Sequence, residues 1–347
     1  MDPTKRLWNS AREGAVMQFT RRTVLTGMTA AGLTPAYAAS PYPPLPQPDP
    51  KLWHIDDAPT LTGQAPGPNG GVYYRLYGQL GRTPVIVLHG GPAAGETYMR
   101  PYAGLATDRQ VVTYDQSGCG KSARPTDLTV YTVDRYVAEL EALRATLGFE
   151  RVVLLGHSWG GILAPAYAAA HPERVAGLVL AGTGVRWLDF QEAAERWLTE
   201  FGPDARATIA RAEKGGATDD PAYQKLIGAY YARHLCRLDP WPEWFARAGE
   251  EIGRNPVYVH LNGPTEFQFT GTFASIDNTR ALKGVRAPTL ITCGEYDEGP
   301  PWIAKRIAKL VRRSKLVVFP GLSHMAHIED PALAVGVTAA FLRAARL

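Results

Sequence analysis

Arg151-Val152-Val153-Leu154-Leu155-Gly156-His157-Ser158-Trp159-Gly160-Gly161 decides how the rest of the chain is read. Its first half is a run of branched apolar residues, the composition of a strand buried on both faces. Its second half sets a serine between two glycines, where that strand must give way to a helix running to Ala170. A serine on so sharp a strand-to-helix turn has its hydroxyl lifted clear of the sheet. The flanking glycines admit the close backbone approach that the turn demands. In a chain with 35 glycines the pentapeptide alone is a weak signal, and its place between strand and helix is what gives it weight. Ser158 is a candidate nucleophile.

Outward from this turn, short β-branched runs alternate with helical segments. Residues 84–88, 110–114 and 178–180 read as further strands, and Tyr136, Leu140, Leu143 and Leu147 give the intervening helix one apolar face. Trp53 to Ile55 and Val72 to Leu76 suit an antiparallel edge pair. From 186 to 280 strand-like runs become scarce, and four tryptophans (187, 197, 241 and 244) point to a helical insertion. Strand character returns at Thr289-Leu290-Ile291-Thr292 and Leu316-Val317-Val318-Phe319, and a helix from Ala332 to Leu342 closes the chain. The pattern predicts a mostly parallel sheet with helices on both faces. Its core is split into residues 51–185 and 281–347 by a helical lid at 186–280.

A serine hydroxyl is a poor nucleophile until a base takes its proton. On a sheet of this kind, the α/β-hydrolase fold, the partners follow in the order Ser, then Asp or Glu, then His, each after a later strand. After the strand at 289–292 come Glu295, Asp297 and Glu298, and Asp297 is the expected acid, with Glu295 too close to the strand. After the strand at 316–319 comes His324, which is preferred over His327 because it lies nearer the strand end. His327 is expected at the surface or behind the site. Two oxyanion donors are expected: the N–H of Trp159, the residue after the nucleophile, and that of Gly91 in His89-Gly90-Gly91-Pro92. His89 reads as a structural histidine of that turn, not as a second base.

Several motifs together give a family resemblance: His89-Gly90-Gly91-Pro92, Asp115-Gln116-Ser117-Gly118-Cys119-Gly120-Lys121-Ser122, Gly156-His157-Ser158-Trp159-Gly160-Gly161, Gly294-Glu295-Tyr296-Asp297-Glu298 and Ser323-His324-Met325. From about residue 70 to its end the chain resembles the proline iminopeptidases, a group that includes tricorn-interacting aminopeptidases and amino-acid amidases. The resemblance implies a serine enzyme that releases an N-terminal residue, often proline, from short peptides or amino-acid amides through an acyl-enzyme. It also implies that Glu266, within Asn262-Gly263-Pro264-Thr265-Glu266-Phe267, and Glu298 hold the substrate's free α-amino group. Two carboxylates around an ammonium give charge-assisted hydrogen bonds and reject acylated N-termini. The chain departs from the family pattern at Ala93, where a glycine is usual, and at Ser117, where a basic or bulky residue is usual. An esterase, lactonase or broad amidase with the same triad is the alternative.

Composition narrows the field further. The chain has 347 residues, 45% hydrophobic and 20% charged, enough for one large domain with an insertion. Much of its formal charge of +4 sits at the front, where Lys5, Arg6, Arg12, Arg21 and Arg22 outnumber Asp2 and Glu13. No basic stripe suggests nucleic acid. Arg21-Arg22, the mildly apolar run from Val24 to Leu33 and Ala36-Tyr37-Ala38 read as a twin-arginine export signal over residues 1–38, cleaved after Ala38 and directing the protein to the periplasm or beyond. That run is too short to span a bilayer of ~30 Å. Residues 39–50 read as a proline-rich extended linker. Cys119, Cys236 and Cys293 form no disulfide framework, and neither a metal site nor a cofactor is implied; Gly118-Cys119-Gly120-Lys121-Ser122 lacks the leading glycine of a phosphate loop. It reads instead as a tight loop buttressing the site. The oligomeric state is not legible.

Overall fold

The computed structural model describes residues 43–215, 217 and 220–347, together with a strand at Val16–Gln18. The expected export signal lies outside the described residues apart from that strand. The sheet contains β1 (Val16–Gln18), β2 (Leu61–Ala65), β3 (Val72–Tyr77), β4 (Arg82–Leu88), β5 (Arg109–Tyr114), β6 (Val152–His157), β7 (Val175–Ala181), β8 (Thr289–Gly294) and β9 (Ser314–Phe319), in the order β1-β9-β8-β7-β6-β4-β5-β3-β2. Every pairing from β1 to β5 across that order is parallel, and β3 joins β5, and β2 joins β3, antiparallel.

The central strands β6, β7 and β8 are buried along their whole length, as their unbroken apolar runs require. Alternation within β4 divides the core in two. Ile86 and Leu88 join the cluster under the helices Val133–Thr146 and Trp159–Ala170, while Val85 and Val87 join the cluster under the C-terminal helix Pro331–Ala344.

Register is what assembles the site. Leu88 pairs with Gly156, His157 with Ala181, Ala181 with Thr292, and Gly294 with Phe319. The carboxyl ends of β4, β6, β7, β8 and β9 are therefore nearly level, and the loops that follow them emerge at one rim. Ligands of open α/β sheets bind at that edge, where the strand order reverses around β4.

Between β7 and β8 the chain leaves the sheet and returns beside its exit. Arg186 bridges to Asp277, the Asn278 N–H donates to the Val185 carbonyl at 2.9 Å, and the Trp187 N–H donates to that of Ile276 at 3.2 Å. The excursion contains the helices Leu188–Trp197, Ala205–Gly215, Pro221–Tyr230, Glu243–Gly253 and Pro256–Leu261. It has a small core of its own around Leu198, Ile209, Tyr223 and Tyr230.

Two expectations are corrected. The edge partner of β3 is Leu61–Ala65, not residues 53–55; Trp53 ends a short 3-10 helix that starts at Pro50 and is capped by Asp49, whose side chain accepts from the Lys51 N–H. Proline at the first turn and an Asp cap favour that helix over a strand. Residues 43–50 are not a free linker either, because Leu45 is buried and bridges to Leu238. The three cysteines are free and buried.

Candidate active site

Ser158 sits at φ 55°, ψ −120°, a conformation that costs a non-glycine residue about 1–3 kcal/mol and persists only where its surroundings impose it. The surroundings are specific. The Ser158 N–H donates to the Ala181 carbonyl at 2.9 Å, and the Ser158 carbonyl accepts from the Gly161 N–H and the Thr183 hydroxyl at 2.9 and 2.8 Å. A Cβ on Gly160 would stand 2.2 Å from the Leu88 carbonyl oxygen, and one on Gly156 would stand 2.1 Å from that of Gly160. Both glycines are required by contact.

The Asp297 and His324 side chains meet behind this turn, with Oδ1 of Asp297 2.7 Å from Nδ1 of His324. Asp297 is itself fixed, its Oδ1 accepting from the Gly299 N–H at 2.7 Å and its Oδ2 from the Gly294 N–H at 3.1 Å. Glu295 points away, accepting from the Gly321 N–H, and His327 is buried against Tyr102 with Nε2 on the Tyr98 carbonyl. The surface position considered for His327 is thereby excluded. Burial pushes the His324 imidazole down, but the charge and hydrogen bond of Asp297, with Glu298 and Glu266 nearby, outweigh it and raise the pKa to about 9.

Ser158, His324, Gly91, Glu266 and Glu298 line one cavity of about 900 Å3, at the upper end of the range of small-ligand pockets. The N–H of Trp159 opens the helix Trp159–Ala170, in the turn where backbone donors have no acceptor within the helix. Gly91, at φ 108°, follows β4 beside it.

Glu298 is 8% exposed, its Oε2 is 3.9 Å from His324 Nε2, and its buried Oε1 has no hydrogen-bond partner among the described residues. Glu266 accepts from the Tyr258 hydroxyl at 2.6 Å. Burial first, and then the charge of Glu266, push the Glu298 carboxyl up to about 8; burial also raises that of Glu266. A largely buried carboxyl beside the imidazole and a half-buried one on the same cavity wall form an arrangement suited to a cationic guest.

The sequence reading gave no roles to Tyr98 or Gln116, and none to His157. His157 Nε2 faces the His324 carbonyl at 3.0 Å, so it carries the hydrogen; Nδ1 then accepts from the Tyr98 hydroxyl at 3.0 Å, and that oxygen accepts from the Gly90 N–H. One hydrogen-bonded chain thus joins the loops after β4, β6 and β9. Gln116 ties the same loops from the other side: its Oε1 accepts from the Trp159 indole at 2.8 Å and its Nε2 donates to the His89 carbonyl at 3.0 Å. The only sequence signal for His157 was its place beside the nucleophile, and none marked Tyr98.

A rim of level strand ends, a serine on a strained turn and a histidine–aspartate pair behind it define an α/β hydrolase, and residues 83–331 match the alpha/beta hydrolase fold family. The chain is 36% identical to a proline iminopeptidase of Heyndrickxia coagulans over 262 residues, covering 76% of this chain and 91% of the relative. It is 40% identical to one from Saccharolobus solfataricus over 263 residues, covering 75% and 84%. The crystal structure of a Mycobacterium smegmatis proline iminopeptidase superposes with a TM-score of 0.77 at 32% identity, covering 82% of this chain and 99% of that one. The chain belongs to the proline iminopeptidase family.

Proposed function

We propose that this enzyme removes an N-terminal residue, with proline preferred, from short peptides or amino-acid amides. The observation that carries the reading is the buried Oε1 of Glu298, which has no partner among the described residues, on a cavity that Glu266 also lines. A buried acceptor without a donor is costly, and a substrate ammonium supplies the missing donors and the missing charge. The names of the relatives support the same substrate class.

In this mechanism Ser158 Oγ attacks the scissile carbonyl while His324 Nε2 takes its proton. Asp297 holds the imidazole through Nδ1 and stabilises the imidazolium, and the N–H groups of Trp159 and Gly91 receive the oxyanion. His324 then protonates the leaving amine, and water releases the acyl group from Ser158 by the same steps in reverse order. Glu266 and Glu298 hold the ammonium that fixes which carbonyl is presented. Steady-state kinetics on prolyl anilide and its N-acetyl derivative test the reading: acetylation is expected to abolish turnover. Equal cleavage of both, with rapid hydrolysis of simple esters, would instead make the protein an esterase or broad amidase.

We also infer that residues 1–38 export the protein to the periplasm or beyond. Arg21-Arg22, the apolar run behind it and the small-residue exit at Ala36-Tyr37-Ala38 support this. Cleavage after Ala38 would remove Val16–Gln18 and leave β9 at the edge of the sheet. Replacing both arginines by lysine is expected to retain the precursor in the cytoplasm; unchanged export would refute the assignment.

A further inference from the structure

Residues 43–53 precede the part of the chain that matches the family model, which begins at residue 83. They nevertheless reach the active-site cavity, whose lining includes Pro43 and Pro44 together with Ser158 and His324. Behind these two prolines the segment is fastened at several points. Leu45 is buried against Leu238, and its N–H donates to the Arg237 carbonyl at 3.1 Å. The Gln47 amide donates to the Pro240 carbonyl at 2.9 Å. Trp53 is buried edge-on to Trp244, 5.7 Å between ring centres, and its indole N–H donates to the Ile328 carbonyl at 2.9 Å.

Sequence explains why it holds an extended path. Prolines at 43, 44, 46, 48 and 50 fix φ along the segment, so the unfolded chain has fewer conformations to lose and an extended strap is preorganised. The strap grips two separate elements. Leu45 and Gln47 hold the excursion at residues 237–240, whereas Trp53 reaches Ile328, just beyond the His324 loop. The excursion is tied to that loop as well, since the His324 and Met325 N–H groups donate to the carbonyls of His234 and Leu235.

Resting on the function proposed above, we propose that residues 43–53 are a fixed strap that closes one wall of the active-site cavity and restricts substrates to short peptides. The free amine is held by Glu266 and Glu298 and the scissile carbonyl lies at Ser158. The leaving group must therefore share the remaining space of the 900 Å3 cavity with the wall at Pro43 and Pro44. The chain beyond the scissile bond meets the strap once it outgrows that space. The strap is thus a specificity determinant that acts on the leaving group and takes no part in the bond chemistry.

Two variants of the exported chain test this. Pro43→Gly/Pro44→Gly removes the two side chains on the cavity and keeps the Leu45 and Trp53 anchors; Leu45→Asp places a charge in the buried slot and frees the strap from Leu238. The readout is the ratio of kcat/KM for a proline-initiated heptapeptide to that for a proline-initiated dipeptide, with prolyl anilide as the check that the parent is an iminopeptidase. The parent is expected to favour the dipeptide, and each folded variant is expected to narrow that gap about tenfold by gaining on the heptapeptide. If Leu45→Asp does not fold, the double glycine variant, whose anchors are intact, decides the matter. A parent that cleaves both peptides equally, or a ratio unchanged in a folded variant, overturns the strap while leaving the iminopeptidase reading in place. A parent inactive on prolyl anilide overturns both.

Discussion

His324 Nε2 lies 3.9 Å from Oε2 of Glu298, so the proposed base and the proposed amine-binding carboxyl share one electrostatic environment. At that separation in a water-poor cavity, a change of charge on either side is felt strongly on the other. Binding of the substrate is thereby linked to the protonation state of the group that must accept the Ser158 proton.

The first prediction follows from the sign of that link. The His324 pKa is raised to about 9. An ammonium docked on Glu266 and Glu298 neutralises their charge, lowers the imidazole pKa and frees it to act as a base. The acid limb of kcat is expected about one pH unit lower for prolyl anilide than for a neutral ester of similar size. Coincident limbs in the two pH–rate profiles would show that the amine site and the base are not coupled.

Asp297→Asn should leave the fold intact and lower kcat on the order of 10^4-fold, because the amide can fix the wrong tautomer and no longer supports the imidazolium. Thermal unfolding and steady-state kinetics on the same preparation check this. A loss of less than tenfold in a folded variant would remove Asp297 from the mechanism.

Tyr98→Phe deletes one hydroxyl that serves both the Gly90 N–H and His157 Nδ1. Leaving buried groups unpaired costs about 1–3 kcal/mol. The oxyanion loop is expected to loosen, with kcat falling about 10- to 100-fold and KM little changed, since neither carboxylate of the amine site is touched. A rise in KM at constant kcat would assign Tyr98 to substrate binding instead.

Glu213 holds the turn that carries Glu266: its carboxylate accepts from Thr265 at 2.6 Å and from Gln268 at 2.8 Å. Glu213→Gln weakens both bonds while keeping the volume, and hydrogen bonds to a charged group contribute about 1.5–3 kcal/mol. KM for prolyl anilide is expected to rise about tenfold with kcat nearly preserved, whereas a neutral ester should show no change. An equal effect on both substrates would mean that Glu213 supports the lid in general.

Buried histidines set the acid limit of stability. Burial, the largest cause in each case, lowers His89 to about 4, His234 and His327 to about 3, and His157 well below its ordinary value. As pH falls below 6.5 the unfolded chain takes up these protons first, so stability is lost with acid, by up to 1.36 kcal/mol per pH unit for each histidine. Glu139 and Glu329, both raised by burial to about 7, act in the opposite direction between about 4.5 and 7. Stability measured by urea unfolding should therefore fall with acid from about pH 6.5, gently down to 4.5, where the two glutamates oppose the four histidines, and more steeply below, and His327→Gln should make that fall shallower. A limb of unchanged slope in the variant would contradict this assignment.

Much of this was legible in the chain itself. Residues 151–161 carried the turn, and the order of strands after it pointed to the paired Asp297 and His324, because the fold places such residues at the ends of later strands. Choosing Asp297 over Glu295 rested on distance from the strand end, and in the structure Glu295 turns to the Gly321 N–H. Residues 53–55 misled because apolar character alone does not separate a strand from a short capped helix; Asp49 and Pro50 decide that locally.

Local patterning and spacing thus determined the elements, their order and the candidacy of Ser158, Asp297 and His324 for the proposed triad, since each depends on neighbours close along the chain. Tertiary structure alone decided the chain of bonds through His157 and Tyr98, the unpartnered oxygen of Glu298 and the docking of residues 43–53. Those features depend on which distant atoms share a small volume, and sheet register and the return of the lid fix that only when the whole chain is packed.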